Sequence, residues 1–324
     1  MYQLPDLSVW KGRVDPGGDE TLRWHQVIKP LDLREDLSPS PSGRQSFALL
    51  GFCCDEGVRR NLGRTGAREG PAAIRKSLRN LCIHPGPATA LLFDCGDVIC
   101  SGEKLEAAQS MLGSKISQLL EAGYKPLVMG GGHEIAFGHF QGIYPYVSQR
   151  SQSVGIINLD AHFDLRQYEE LGNSGTPFLQ INNAIKAEGG DFNYLVLGID
   201  DSGNTQDLFN RARELNVTWC LRNEEEAIGN DSLFTAIDNF TSRVQTLYLT
   251  LDLDVINQAY APGVSAPSPF GWSPELIQRL LKKIFATEKV VSVDIAELNP
   301  SLDADACTAR LAAGFIYEIV KMWR

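Results

Sequence analysis

Short, continuous apolar runs recur along the chain, and each is separated from the next by enough residues to form a helix. Eight of them are candidate strands: 47–52, 90–93, 126–129, 154–157, 194–197, 217–220, 247–250 and 290–293. A strand covered on both faces is apolar throughout, whereas a half-exposed strand alternates apolar with polar residues. The pattern therefore predicts eight strands, most of them buried on both faces.

Helical patterns lie between these runs. One apolar stripe has three- and four-residue spacing: Leu105, Ala108, Leu112, Ile116, Leu119 and Leu120. Gly123 is a stop signal for that helix, and Ser273-Pro274 is a start signal for a later one. Strands that alternate with helices form a parallel sheet with helices on both faces. We therefore predict an α/β fold, in which a single three-layer α/β/α domain contains an eight-stranded, mainly parallel sheet.

The first 46 residues have a different character. They contain Trp10 and Trp24, many charged residues and the turn-rich segment Ser38–Gly43. We expect residues 1–46 to form an irregular N-terminal extension packed on the core, and residues 47–324 to form the domain.

Acidic residues and histidines follow three of the predicted strands. Asp160, His162 and Asp164 occupy alternate positions after run 154–157, and Asp252 and Asp254 do so after run 247–250. Alternate side chains leave a strand on the same face. Carboxylates held close together repel one another unless a cation lies between them. These residues therefore predict a metal site.

His133 is the sixth candidate ligand. It follows run 126–129 and three glycines, which allow the backbone to approach a site closely. The six residues are separated by as many as about 120 positions, so the strands that carry them must be neighbours in the sheet. Two histidines with four aspartates suit Mn²⁺, Fe²⁺ or Zn²⁺, and the excess of oxygen ligands favours a harder ion such as Mn²⁺.

Composition excludes several classes of partner. The net charge of −10 argues against a nucleic-acid partner and against an anionic membrane surface, so an anionic substrate needs locally placed arginines. The seven irregularly spaced cysteines do not resemble a disulfide framework. No signal peptide or membrane-spanning apolar stretch is recognisable. We expect a cytoplasmic protein that acts on a small molecule.

Four motifs occur in the order found in the arginase/ureohydrolase family, which the chain resembles from about Phe47 onward. They are Gly-Gly-Gly-His-Glu at 130–134, Asp-Ala-His-Phe-Asp at 160–164, Asp-Leu-Asp at 252–254 and Ser-Val-Asp-Ile-Ala-Glu-Leu-Asn-Pro at 292–300. Four further segments resemble the formimidoylglutamase branch: 10–15, 57–64, 173–178 and 261–267. This resemblance implies an arginase-like fold and cleavage of N-formimino-L-glutamate to L-glutamate and formamide, a step in histidine degradation.

The resemblance also implies roles for individual ligands. One metal ion would bind His133, Asp160, Asp164 and Asp252, and a second would bind His162, Asp160, Asp252 and Asp254. The implied cofactor is two Mn²⁺ per chain, although other divalent ions would also fit. Asp164 would carry the catalytic proton, and Glu297 would hold the cationic N–C–N group of the substrate.

Substrate recognition is expected to involve arginines. Arg166 lies where the family recognises the amino-acid end of its substrate, and a guanidinium there suits a carboxylate. A second substrate carboxylate needs another cation, for which Arg59, Arg60 and Arg64 are candidates, with Arg64 favoured by its motif. Ser174 is expected to lie near the substrate, in the position of the histidine that serves arginase as a proton shuttle.

The sequence departs from the wider family at Ser174, at Gly132, where aspartate is usual, and at Asn257-Gln258, where Asp-Pro is usual. Three alternatives therefore stay open: an agmatinase or guanidino-acid hydrolase, a phosphoester hydrolase, and an inactive metal-binding scaffold of the same fold. The phosphoester reading is weakened by the presence of only five histidines and by the lack of a phosphate-binding glycine loop before a lysine. We also expect a homo-oligomer.

Overall fold

The computed structural model describes residues 1–84, 90–223 and 230–323, which contain ten strands and ten α-helices. The strands are β1 Tyr2–Gln3, β2 Lys29–Pro30, β3 Ser46–Cys53, β4 Leu91–Ile99, β5 Lys125–Met129, β6 Val154–Leu159, β7 Asn193–Ile199, β8 Thr218–Leu221, β9 Thr246–Asp252 and β10 Val290–Ala296. The helices are α1 Trp24–Val27, α2 Glu56–Arg60, α3 Gly70–Leu78, α4 Leu105–Glu121, α5 Ile135–Ser148, α6 Pro177–Ala187, α7 Gln206–Glu214, α8 Asn230–Thr241, α9 Pro274–Phe285 and α10 Cys307–Met322.

All ten strands form one sheet. Its order is β1-β4-β3-β5-β10-β9-β6-β7-β8, with β2 also paired to β4. Among these pairs only β1–β4 is antiparallel, so the predicted mainly parallel sheet is confirmed. Each of the eight apolar runs coincides with one of the strands β3 to β10.

The sheet has two more strands than predicted. Strands β1 and β2 contain two residues each and pair with β4, where Tyr2 lies opposite Val98 and Lys29 opposite Phe93. A pairing of two residues produces no hydrophobic periodicity, so it leaves no signal in the sequence. The first 46 residues therefore contribute two strands to the sheet.

The predicted helix signals are also confirmed. The stripe from Leu105 lies in α4, and Gly123 follows that helix with a φ of +80°. Ser273 caps α9, because its hydroxyl oxygen accepts a hydrogen bond from the Leu276 amide at 3.3 Å.

The sheet separates two hydrophobic cores. Successive residues of a strand point to opposite faces, so Phe47 and Leu49 of β3 enter one core whereas Ala48 and Leu50 enter the other. Helices α3, α8, α9 and α10 cover the first face, and α4 to α7 cover the second. The first core also contains the buried tryptophan Trp24. Within the described residues, no helix is both long and apolar enough to cross a membrane.

Four central strands position the candidate site. They are adjacent in the order β5-β10-β9-β6 and run parallel, so their carboxyl ends meet at one edge of the sheet. Asp252 is the last residue of β9, the other five candidate ligands follow β5, β6 and β9, and Glu297 follows β10 directly. Parallel α/β sheets bind ligands at this edge.

Candidate metal centre

His133 lies at the centre of three aspartates. Its Nδ1 atom is 3.1 Å from Asp160 Oδ2, 3.0 Å from Asp164 Oδ2 and 3.1 Å from Asp252 Oδ2. The histidine is 1% exposed, so solvent does not screen this group of carboxylates. The residues that follow three different strands thus converge on one point.

His162 forms the centre of a second group. Its Nδ1 atom lies 3.0 Å from Asp254 Oδ2 and 3.5 Å from Asp160 Oδ1. Asp160 therefore directs one oxygen atom to each histidine, an arrangement that suits a carboxylate that bridges two cations. The sets His133, Asp160, Asp164 and Asp160, His162, Asp254 each bring their ligand atoms within 4.8 Å of one another.

The electrostatics of these groups favour a bound cation. His133 Nδ1 and Asp254 Oδ1 are buried and lack a hydrogen-bond partner among the described residues. Burial, and then the like charges of Asp254 and Asp160, raise the pKa of Asp252 well above its usual range. Burial and the neighbouring Asp160 likewise raise the pKa of Asp164 to about 6. Mixed carboxylate and imidazole ligands that lack protein partners fit divalent metal ions.

Two residues of the site have an unusual backbone conformation. Asp164 has a φ of +50° and Glu297 a φ of +69°, in the left-handed region that costs a non-glycine residue about 1–3 kcal/mol. Hydrogen bonds hold both in place. The Asp164 carbonyl accepts from the Phe178 amide at 3.3 Å, and the Glu297 amide donates to the Gly131 carbonyl at 2.8 Å. The surrounding structure thus maintains strain at the centre of the site.

A buried hydrogen-bond relay lies behind His133. Asp294 accepts hydrogen bonds from the Tyr248 hydroxyl, from His139 Nδ1 at 2.6 Å and from the Thr250 hydroxyl at 2.6 Å. Because the Thr250 hydrogen points to Asp294, the Thr250 oxygen accepts from His133 Nε2, 3.0 Å away. His133 therefore donates a proton from Nε2, which leaves Nδ1, the atom that faces the three aspartates, as the one available to bind a metal ion.

A cavity of about 280 Å³ opens above these groups. Its floor contains His133, His162, Asp164, Asp252, Asp254 and Glu297, and its walls include Asn61, Arg64, Arg166, Ser174 and Ser265. The structure therefore places five of the six predicted ligands, Glu297, Ser174 and two predicted arginines around one space. The sixth ligand, Asp160, lies directly beneath and is fully buried.

The predicted substrate arginines differ in their surroundings. Arg166 is exposed on the cavity wall, and no acceptor among the described residues lies within hydrogen-bond distance of its guanidinium. Arg64 uses Nε and Nη2 to donate to the Ser265 carbonyl at 2.9 and 2.7 Å, which leaves Nη1 without an acceptor among the described residues. Arg60 lies behind the cavity wall, where it forms salt bridges with Glu56 and Glu106.

Several residues that support the site were not recognised from the sequence. Thr250 lies in the apolar run 247–250. Asp294 lies in the motif 292–300, in which Glu297 is the residue with a predicted role. Asn61 lines the cavity and donates to Ser174 Oγ at 3.1 Å. Asn158 donates to Asp160 Oδ2 at 2.9 Å from the middle of a buried strand. Polar residues inside apolar runs, such as Asn158, were the available signal.

A parallel α/β sheet that gathers two imidazoles and four carboxylates under an open cavity has the architecture of a metal-dependent hydrolase. Comparison with known proteins identifies the family, because the model of the arginase family matches residues 45–321. The chain belongs to the arginase family.

Individual relatives and solved structures give a more specific comparison within this family. The chain is 44% identical to a formimidoylglutamase of Geobacillus thermodenitrificans, over 100% of this chain and 98% of the relative. It is also 44% identical to a formimidoylglutamase of Ralstonia nicotianae, over 99% and 97% of the two chains. The crystal structure of formimidoylglutamase from Bacillus subtilis superposes with a TM-score of 0.81 at 22% identity, over 96% and 94% of the chains.

A further neighbour carries metal. The crystal structure of Trypanosoma cruzi formiminoglutamase with Mn²⁺ has a TM-score of 0.76 and 26% identity, over 86% of this chain and 93% of that one.

Proposed function

We propose that the chain hydrolyses the C–N bond of N-formimino-L-glutamate and releases L-glutamate and formamide. Full-length identity of 44% to formimidoylglutamases supports this assignment. Within the structure, the observation that carries it is the combination of six converging ligands with the unpaired guanidinium of Arg166 on the same cavity.

We further propose two Mn²⁺ per chain as the cofactor. His133, Asp160, Asp164 and Asp252 would hold one ion, and His162, Asp160, Asp252 and Asp254 would hold the other. The position of Asp160 between the two histidines supports its role as a bridge. Two divalent ions, when bound, lower the pKa of a water molecule enough to supply hydroxide near neutral pH.

Asp164 is suited to move the catalytic proton. The departing glutamate nitrogen must gain a proton as the C–N bond breaks. Asp164 lines the cavity, where its carboxylate can accept a proton and deliver it to the departing nitrogen.

Glu297 is suited to hold the substrate's N–C–N group. Its Oε1 atom accepts the His133 amide hydrogen, and the side chain lines the cavity. Burial, and then the acids Asp252 and Glu134, raise the pKa of Glu297. A bound amidinium would offset this repulsion and form charge-assisted hydrogen bonds with the carboxylate.

The two carboxylates of the substrate need two cations. Arg166 can offer its planar fork to one carboxylate, and Arg64 can offer its free Nη1 group to the other. Agmatine has no carboxylate, so it would leave Arg166 unpaired; this favours an amino-acid substrate over the agmatinase alternative. The complete ligand set favours an enzyme over an inactive scaffold.

Ser174 supports the same choice of substrate. Its hydroxyl accepts a hydrogen bond from Asn61 on the cavity wall, and a serine is a poor proton shuttle at neutral pH. We propose that Ser174 contributes to the substrate-binding wall and not to proton transfer.

The decisive experiment is an assay of the manganese-reconstituted protein with formiminoglutamate, arginine, agmatine and guanidinobutyrate. We expect formamide release from formiminoglutamate to exceed urea release from the three guanidines. Efficient urea release together with inert formiminoglutamate would overturn the proposal.

We also propose a cytoplasmic homo-oligomer. All seven cysteines are free, as is usual for proteins in reducing compartments. Light scattering of the purified protein tests the oligomeric state, and a monomer would contradict it.

A further inference from the structure

Arg60 has a fully satisfied guanidinium, although it lies close to the substrate cavity. Arginine has five N–H groups, and five hydrogen bonds use them here. Nε donates to Glu56 Oε1 at 2.9 Å, and Nη1 donates to Glu106 Oε1 at 2.5 Å and to the Gly172 carbonyl at 3.0 Å. Nη2 donates to the Glu103 carbonyl at 2.8 Å and to Glu106 Oε2 at 3.4 Å. No donor remains for a substrate.

These five bonds join three separate parts of the chain. Glu56 belongs to α2, Glu103 and Glu106 lie at the start of α4, and Gly172 opens the loop 172–176. The side chain of Arg60 is 12% exposed, and two carboxylates balance its charge. Hydrogen bonds from a charged donor to a carboxylate are roughly twice as strong as bonds between neutral groups. Arg60 therefore fixes the loop 172–176 relative to α2.

The loop 172–176 forms part of the substrate wall. Ser174 lines the cavity and bonds Asn61, which directly follows Arg60 in sequence. The Gly175 carbonyl accepts from the Arg166 amide at 2.8 Å. A Cβ atom at Gly175 would lie 2.7 Å from Arg166 Cδ and 3.2 Å from Asn61 Nδ2, so the three residues pack without spare room. A shift of the loop would therefore move the groups that face the substrate.

We propose that Arg60 is a positioning residue for substrate binding. It clamps α2 to the loop 172–176 and so sets the separation between Asn61 on one side and Ser174 and Arg166 on the other. Arg60 does not touch the substrate. The substrate-dependent part of this inference rests on the function proposed above, whereas the clamp itself does not.

Arg59 provides a matched control. It is the neighbouring residue of the same helix and bonds the same Glu56 carboxylate, with distances of 2.7 Å to both oxygens. It also contacts Glu103, through the side-chain oxygen at 3.1 Å. Arg59 is 52% exposed and makes no hydrogen bond to the loop 172–176 among the described residues. Both Arg59→Lys and Arg60→Lys therefore weaken the hydrogen bonding to Glu56, but only Arg60→Lys disrupts the clamp on the loop 172–176.

The first measurement is amide hydrogen exchange on the folded protein. Arg60→Lys keeps the charge, but an ammonium group cannot reach five acceptors on three segments. We expect faster exchange across 172–176, where the Gly175 amide bonds Asn173 Oδ1 at 2.9 Å and the Thr176 amide bonds the Asn173 carbonyl. Exchange in Arg59→Lys should match the wild type. Wild-type exchange of this loop in Arg60→Lys would overturn the clamp.

The second measurement is calorimetric binding of L-glutamate, which carries both carboxylates of the proposed substrate, to the manganese-loaded protein. We expect Arg60→Lys to weaken binding about tenfold, and to raise KM more than it lowers kcat, because the positions of the binding groups change and the metal ligands do not. Bound manganese should be unchanged. Unchanged glutamate affinity, or an equal loss in Arg59→Lys, would overturn the role in substrate binding.

The experiments distinguish a failure of the proposed function from a failure of the proposed clamp. If the wild type neither cleaves formiminoglutamate nor binds glutamate, the proposed function is wrong, and exchange of the loop still tests the clamp. If Arg60→Lys does not fold, Glu106→Gln serves instead, because it removes one charged acceptor and leaves the bond to Gly172. That variant should show a smaller increase in exchange at 172–176, and no increase would count against the clamp.

Discussion

Replacing Thr250 with valine would remove one hydroxyl group from the relay behind His133 and keep nearly the same side-chain shape. The hydroxyl donates to Asp294 at 2.6 Å and accepts from His133 Nε2 at 3.0 Å. Without it, His133 loses the acceptor that keeps its proton on Nε2, and Asp294 loses one of its three donors. The imidazole is then free to rotate or to place a proton on Nδ1, and either change opposes metal binding.

The magnitude follows from these two lost bonds. Each orphaned partner is buried, and loss of a buried hydrogen bond costs about 1–3 kcal/mol. Partners of metal-bound histidines typically contribute about 10- to 100-fold to metal affinity, which corresponds to about 1.4–2.8 kcal/mol. We therefore expect the Thr250→Val protein to bind Mn²⁺ about 10- to 100-fold more weakly, with the larger loss at the His133 side of the site.

The assay is titration of the metal-free protein with Mn²⁺, followed by calorimetry or by the electron paramagnetic resonance signal of free Mn²⁺. Thr246→Val is the matched control, since Thr246 lies on the same strand and its hydroxyl donates to the Ser153 carbonyl at 3.0 Å, away from the relay. Thr250→Ser should restore affinity because it restores the hydroxyl. Equal Mn²⁺ affinity in the wild type, Thr250→Val and Thr246→Val would refute the reasoning.

Three further predictions concern the site. Asp252→Ala should lose at least one Mn²⁺ per chain because this carboxylate is proposed to bind both ions; unchanged metal content by elemental analysis would contradict its role. Arg166→Lys keeps the charge and loses the planar fork, so kcat/KM should fall by the equivalent of about 1.5–3 kcal/mol with metal content intact, and wild-type kinetics would place the residue outside substrate recognition. Arginine should be a very poor substrate because Ser174 leaves Asp164 as the proton carrier in the cavity; a Ser174→His variant with increased urea release would support this, and rapid urea release by the wild type would exclude it.

The sequence predicts those parts of the fold that a local pattern specifies. Most of the strands β3 to β10 are covered on both faces and so appear as apolar runs, and the ligands lie at or just beyond the ends of these strands. The pairing of β1 and β2 with β4 involves two residues each and has no such pattern.

The roles of the side chains behind the site also could not be predicted from the sequence. The sequence does not show whether an arginine contacts solvent, substrate or protein, so the role of Arg60 depends on its five acceptors in the folded chain. Thr250 reads as an ordinary strand residue, and its function depends on Asp294, which is 44 residues away in the chain.

The metal ligands lie at the ends of central strands, whereas the substrate wall lies on loops. This separation affects how activity toward new substrates could evolve. The proposed metal ligands are anchored by β5, β6 and β9, whose residues are buried on both faces of the sheet, so they are expected to be the last part of the molecule to open. The substrate wall is formed by loops such as 172–176, which tolerate change more readily than the sheet does. Substitutions in those loops could therefore redirect the hydrolase to other amidines while the metal chemistry stays intact, which makes them the natural place to diversify in a directed-evolution library.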